Sequence, residues 1–258
     1  MIDLTLIGIG TGNPDHLTAQ ARRAMARADL ILLPRKGSDK ADLLDLRRTL
    51  CAGLEGPRIV EFDMPVRDGA AAYIGAVHDW HAAITALWRA GIEAHLPQGG
   101  SLALLVWGDP MLYDSTLRIA RRLAKGSGGL AAGGMELAIR VVPGITSIQA
   151  LCAAHAIPLN PLGGAVTITT ARMLRRHGWP QGATCVVVML DDGTTLETLP
   201  PEGITVWWGA YLGMEAEALD HGPLALAAPR IACLRAQLRA RHGWIMDISL
   251  LKKDQTDA

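Results

Sequence analysis

Three short apolar runs in the first 145 residues each end directly on a glycine-bearing turn. Residues 4–9 run into Gly8-Ile9-Gly10-Thr11-Gly12-Asn13-Pro14-Asp15, and residues 102–107 into Gly108-Asp109-Pro110. Residues 139–142 run into Pro143-Gly144-Ile145-Thr146-Ser147. A short continuous apolar run bounded by turn residues is the pattern of a strand buried on both faces. Helical periodicity separates the runs. Leu17, Ala21, Met25 and Ala28 form one stripe, and Tyr73, Val77, Trp80, Ile84, Leu87 and Trp88 form another. Further helices are expected over 41–51 and 116–125, and further strands over 30–33, closed by Pro34, and 58–62. Strands alternating with helices predict a mainly parallel sheet covered on both faces.

The pattern changes near residue 145. A helix is expected over 147–155, and strands over 165–169, 185–190, 204–208 and 245–250, with shorter helical pieces between them. The glycine-rich stretch 126–134 reads as a flexible connection. The fold class expected is therefore α/β. An N-terminal α/β domain (1–145) precedes an α+β domain (146–258), with a cleft between them.

Composition narrows the function classes. The formal net charge is zero, so no basic face is offered to nucleic acid. Cys51, Cys152, Cys185 and Cys233 form no C-x-x-C pair and read as small buried hydrophobes of a reducing cytoplasm. The first residues lack the basic stretch of a secretory signal, and no apolar run approaches the roughly 20 residues that span a bilayer. Twenty arginines stand against five lysines, which suits a polycarboxylate substrate or simply a codon bias.

The first glycine loop is not a dinucleotide fingerprint. Its third glycine position holds Asn13, and the second strand ends on Pro34 where an acid for ribose would stand. No P-loop and no nucleophile elbow occur. Ligands of an open α/β sheet sit beyond the carboxyl ends of its strands, where all three glycine turns lie. Asp109 can serve a ligand or merely bond its own turn before Pro110. Thr146 and Ser147 can serve a ligand or merely cap a helix. His78 and His81 have no acidic or cysteine partner spaced to complete a metal site, so none is expected.

The ordered set of these turns resembles the tetrapyrrole methylase family, which includes the uroporphyrinogen and precorrin methyltransferases. The resemblance spans the whole chain. It implies S-adenosylmethionine as methyl donor, a site in the inter-domain cleft, and a cytoplasmic homodimer acting on a small-molecule tetrapyrrole rather than a nucleic acid or a membrane. It implies cofactor contacts at Pro14, Trp107, Gly108, Asp109, Leu112, Thr146, Ser147, Met189 and Gly209. The segments Trp207-Trp208-Gly209-Ala210-Tyr211-Leu212-Gly213 and Gly243-Trp244-Ile245-Met246-Asp247 are similar to the deacetylating branch of that family. So are Lys40-Ala41-Asp42-Leu43 and Trp80-His81. This branch methylates precorrin-5 at ring carbon 1 and releases acetate. The alternatives are methylation of another precorrin or of uroporphyrinogen, a protein or RNA methylase of this fold, and a non-catalytic carrier. Asp15, Asp109, Tyr113 and Tyr211 are the acid–base candidates, and Arg35, Lys36, Arg67 and Arg172, placed on expected loops, are candidates for holding substrate carboxylates. One departure from the family pattern is Thr11, where many relatives carry Pro or Ala.

Overall fold

A computed structural model of the chain describes residues 1–35, 41–66, 73–126 and 134–253. The chain divides into two compact units. One comprises Met1–Gly10 and Pro14–Ile145, the other Thr11–Asn13 and Thr146–Ala258.

The first unit is built on five parallel strands: β1 (Ile2–Gly8), β2 (Leu30–Arg35), β3 (Arg58–Asp63), β4 (Gly100–Val106) and β5 (Leu137–Val142). Their order is β3-β2-β4-β1-β5. The helices are α1 (Ala19–Ala26), α2 (Ala41–Cys51), α3 (Tyr73–His95) and α4 (Thr116–Lys125). Alternate strand residues divide between two cores, as the period of a strand requires. Ile7, Ile31, Leu33, Ala103 and Leu105 pack with Ala21 and Met25 of α1 and Leu44, Leu50 and Cys51 of α2. Leu4, Leu6, Leu30, Leu32, Leu102 and Leu104 pack with Ile84, Trp88 and Ile92 of α3 and Ile119 and Leu123 of α4. Burial of these side chains, about 1.5–3 kcal/mol each, drives the assembly of the unit. Thr18 is the N-cap of α1, because its side chain accepts the Ala21 N–H.

Pro34 does not end β2 as expected. The strand runs on to Arg35 in register with β3, but its pairing with β4 stops at Leu32↔Leu104. Proline has no N–H to donate, so a strand containing it tolerates an unpaired side.

In the second unit the five-stranded sheet has the order β6-β7-β10-β8-β9. The strands are β6 (Thr167–Thr170), β7 (Cys185–Met189), β8 (Ile204–Ala210), β9 (Ala218–Pro223) and β10 (Asp247–Lys253). The first pair is parallel and the rest antiparallel. Its helices are α5 (Ser147–Ala154), α6 (Ala171–His177), α7 (Thr195–Thr198) and α8 (Leu224–His242). Two elements depart from the sequence reading. The strand β9 was not expected, and α8 is a 19-residue helix rather than a short piece. Pro229 lies inside α8, and the buried stripe is Leu224, Ala227, Ala228, Ile231 and Arg235. A proline, two alanines and an arginine give little apolar signal. Arg235 is held there by Asp247, whose Oδ2 accepts its Nε at 2.8 Å and the Trp208 indole N–H at 3.0 Å. Its other nitrogens donate to the carbonyls of Asp191 and Asp192.

Candidate active site

At the carboxyl edge of the parallel sheet, Gly8 and Gly144 leave no room for a side chain. A Cβ on Gly144 would stand 2.1 Å from the Gly108 carbonyl oxygen, and one on Gly8 would stand 2.6 Å from the Gly144 nitrogen. The ends of β1, β4 and β5 therefore touch backbone to backbone. Gly10 and Gly108 reinforce the contact with a reciprocal pair of hydrogen bonds, Gly108 N to Gly10 O at 2.8 Å and Gly10 N to Gly108 O at 3.3 Å. Gly10 and Gly108 have φ of 76° and 64°, a conformation that glycine adopts without steric cost. On the open side of Gly108 no atom lies within 4 Å of where a Cβ would be. The edge thus presents bare main chain, the surface a ligand bound mostly through backbone groups requires.

Asp109 fastens this edge. Its Oδ2 accepts the Gly144 N–H at 2.8 Å and its Oδ1 the Met111 N–H at 2.7 Å. Both oxygens are committed to backbone donors, so Asp109 positions loops and is not the acid–base group. The reading in which it bonds its own turn is correct as far as Met111, and the clamp to Gly144 adds to it.

Pro14 and Asp15 lie on an exposed 3-10 turn, Pro14–His16, directly after the glycine loop. The Pro14 carbonyl accepts Arg22 Nη2 at 2.9 Å. Trp107 and Leu112 are half-buried beside Gly108 in sequence. Tyr113 is 44% exposed, with a left-handed φ of 49°. Partial burial holds its phenol above the ordinary value, so the hydroxyl keeps its proton at neutral pH. A left-handed non-glycine residue at a sheet edge is the kind of strain that clusters at functional sites.

In the second unit the register aligns two of the expected cofactor residues. Met189 of β7 and Gly209 of β8 both pair with Ile248 of β10, and so flank it from either side. Leu190, directly after Met189, also has a left-handed φ, 56°. Gly209 is buried, and a Cβ there would lie 2.6 Å from Leu212 and 2.9 Å from Leu151. Internal packing alone accounts for that glycine. Thr146 is the N-cap of α5: its hydroxyl accepts the Ile148 N–H at 3.2 Å and is bonded to Gln149. Ser147 begins α5 and is half-buried.

Tyr211 is not an acid–base candidate in this structure. It is 2% exposed, its hydroxyl donates to the Trp244 carbonyl, and its ring packs on His242 and Trp244. The motif residues Trp208, Tyr211 and Trp244 are core. Arg35 is the last residue of β2, not a loop residue, and it grips Asp63 with Nε at 2.9 Å and Nη2 at 3.0 Å. Arg172 is exposed on α6 rather than on a loop. Lys36, Arg67 and most of 126–134 lie outside the described residues.

The sequence reading missed Arg47 of α2. It is 6% exposed, among Leu44, Leu50 and Cys51 on the buried side of that helix. The signal was present: an arginine three residues after Leu44 and three before Leu50 interrupts an apolar stripe.

Comparison with known proteins identifies the family. The sequence model of the tetrapyrrole (corrin/porphyrin) methylases matches residues 3–228. Over 257 residues the chain is 44% identical to precorrin-6A synthase (deacetylating) from Sinorhizobium sp, spanning 98% of this chain and 96% of that protein. A solved structure from Corynebacterium diphtheriae, described as related to cobalamin synthesis (CobF), superposes with a TM-score of 0.82 at 37% identity, covering 98% of this chain and 99% of its own. Uroporphyrin-III C-methyltransferase from Thermus thermophilus, solved with S-adenosyl homocysteine, shares the fold at a TM-score of 0.58 and 19% identity, over 97% of this chain and 92% of its own. The chain belongs to the tetrapyrrole (corrin/porphyrin) methylases.

Proposed function

We propose that this chain methylates precorrin-5 at ring carbon 1 and releases the acetyl group there as acetate, giving precorrin-6A in corrin biosynthesis. The observation that carries this reading is the 44% identity to a deacetylating precorrin-6A synthase along 98% of the chain. The glycine edge supports S-adenosylmethionine as donor, because a cradle of bare backbone suits a cofactor held through main-chain groups. Pro14, Trp107, Gly108 and Leu112 would hold it in the first unit, and Ser147 and Met189 are the side chains proposed to reach it in the second. When bound, it supplies a methyl group already activated on a sulfonium, and the proposed reaction needs no metal.

The protein's own contribution is positioning and water control. Water adds to the acetyl carbonyl, the bond between that carbonyl and ring carbon 1 breaks, and acetate leaves. The electron pair left on ring carbon 1 takes the methyl. Asp15 and Tyr113 are the groups proposed to handle the proton, with Tyr113 as donor. Arg172 is the described arginine proposed to meet substrate carboxylates, since Arg35 already serves Asp63. The family resemblance extends the proposal to a cytoplasmic homodimer. Mass spectrometry of the product formed from S-adenosylmethionine and precorrin-5 tests it. A tetrapyrrole that gains methyl and loses acetyl is expected. One that gains methyl and keeps acetyl would move the enzyme to another ring position.

A further inference from the structure

Beyond Leu32 and Leu104, β2 and β4 separate, and a cavity of about 130 Å³ opens at their carboxyl ends. Its walls include Leu32, Ile84, Leu104 and Trp80, all within the first unit. Four nitrogen-bearing side chains line it, Arg47, Trp80, Trp88 and Trp107, and the Trp80 indole already donates to the Pro65 carbonyl at 2.7 Å. Arg47 donates from Nε to the Leu105 carbonyl at 3.3 Å and from Nη1 to the Leu43 carbonyl at 2.9 Å. The Leu105 carbonyl is the one β2 leaves unpaired, since the next carbonyl, Val106, turns the other way to accept the Ile9 N–H. Among the described residues Arg47 Nη2 makes no hydrogen bond, and no carboxylate lies within ion-pair distance of this guanidinium. Trp88, 5% exposed, leaves its indole Nε1–H without a partner. Ser115, at the N-terminus of α4, makes no side-chain cap bond. Asp114 also lines the space, with its Oδ1 taken by the Thr116 N–H at 2.6 Å.

Burying a cation with no carboxylate in direct contact costs several kcal/mol, and Asp114 across the cavity offsets only part of that by its charge. Burial lowers the Arg47 pKa to about 10, which still leaves it charged at neutral pH. A chamber with one apolar wall, a charged donor and a neutral N–H donor suits an anion with an apolar stem, seated at Arg47 and Trp88 rather than at the Asp114 carboxylate. Its volume approaches the roughly 150 Å³ that accommodates a benzene-sized guest. A two- or three-carbon acid is smaller than that.

We infer that this cavity binds a short aliphatic carboxylate, with Arg47 and Trp88 holding the carboxylate and Leu32, Ile84 and Leu104 packing the stem. The inference rests on the proposed function only for the source of the acid, which is either the released acetate or an acetate or propionate side chain of the tetrapyrrole.

The test is binding of sodium acetate and propionate to the whole protein at constant ionic strength, read by tryptophan fluorescence and calorimetry. Acetamide and chloride serve as controls. The expected result is saturable binding in the millimolar range, at least tenfold weaker for acetamide and absent for chloride. Arg47→Gln should abolish it. Because that variant can fail to fold, Trp88→Phe carries the test independently, and it should weaken acetate severalfold with an unchanged circular dichroism spectrum. Absence of saturation, equal response to chloride, or full affinity in Trp88→Phe overturns the inference. Exclusion of acetate by bound precorrin-5 would assign the cavity to a substrate side chain, and simultaneous binding would assign it to the released acid. Binding is read without turnover. A protein that binds acetate but methylates another tetrapyrrole therefore keeps the cavity and loses the deacetylating reading.

Discussion

Asp109 Oδ2 accepts the backbone N–H of Gly144 at 2.8 Å, and by that bond the turn after β4 holds the turn after β5. The remaining oxygen holds the turn itself, through Met111. Asp109→Asn keeps one acceptor and turns an amide N–H₂ toward the other backbone donor. The Gly144 donor is half-buried, so leaving it unsatisfied costs about 1 kcal/mol, the low end of the range for buried groups. Weaker cofactor binding and a lower unfolding midpoint are expected, with both limbs of the pH–rate profile retained. Loss of one limb would show that Asp109 carries the proton after all.

Gly144→Ala is expected to be far worse than its single methyl suggests. Its Cβ would overlap the Gly108 carbonyl at 2.1 Å, and both partners are backbone. Gly163→Ala is the control: its φ is positive, at 67°, but nothing lies within 4 Å, so it pays only the left-handed strain of about 1–2 kcal/mol. Calorimetric binding of S-adenosylmethionine should vanish in the first variant and survive in the second.

The pair Arg235–Asp247 predicts strong coupling in the second unit. The side chains are 10% and 5% exposed, and Asp247 Oδ2 also serves Trp208. Asp247→Leu or Arg235→Met alone leaves a buried charge uncompensated, at about 3–5 kcal/mol. The Arg235→Met, Asp247→Leu double variant should recover much of that loss in denaturant titrations, giving a coupling energy of opposite sign to the single losses.

Acid should destabilise the fold in a defined window. The Ser101 N–H and hydroxyl hold the Asp29 carboxyl below its ordinary value, Arg230 does the same for Asp220, and Arg48 for Glu61. A carboxyl whose folded pKa is depressed contributes stability above its unfolded value, about 4, and loses it as pH falls toward the folded value. Midpoints should therefore fall below about pH 4. Asp29→Asn should lower the midpoint at neutral pH and flatten the acid limb, whereas an unchanged limb would remove Asp29 from this account.

The first unit was largely legible because β1, β4 and β5 pair an apolar run with a terminal glycine, a combination few structures other than a buried parallel strand satisfy. Pro34 misled because a proline removes a donor without forbidding extension, and only the pairing toward β4 stops. The helix α8 was hidden because its buried stripe is largely alanine and includes Arg235. The candidate site residues could be assigned from the sequence to strand ends and turns, but not given roles. A sequence shows that Tyr211 follows a strand, but not that its hydroxyl turns inward to Trp244. Arg47 shows the reverse, since only the split between β2 and β4 gives a stripe-breaking arginine a chamber to line.

The central claim is that methyl transfer and acetate release are one enzyme's work on one substrate. The most direct measurement is the ratio of acetate released to methyl transferred, followed over a time course with methyl-labelled S-adenosylmethionine and precorrin-5. The account predicts one acetate for each methyl at every time point. Methyl incorporation without acetate would contradict it.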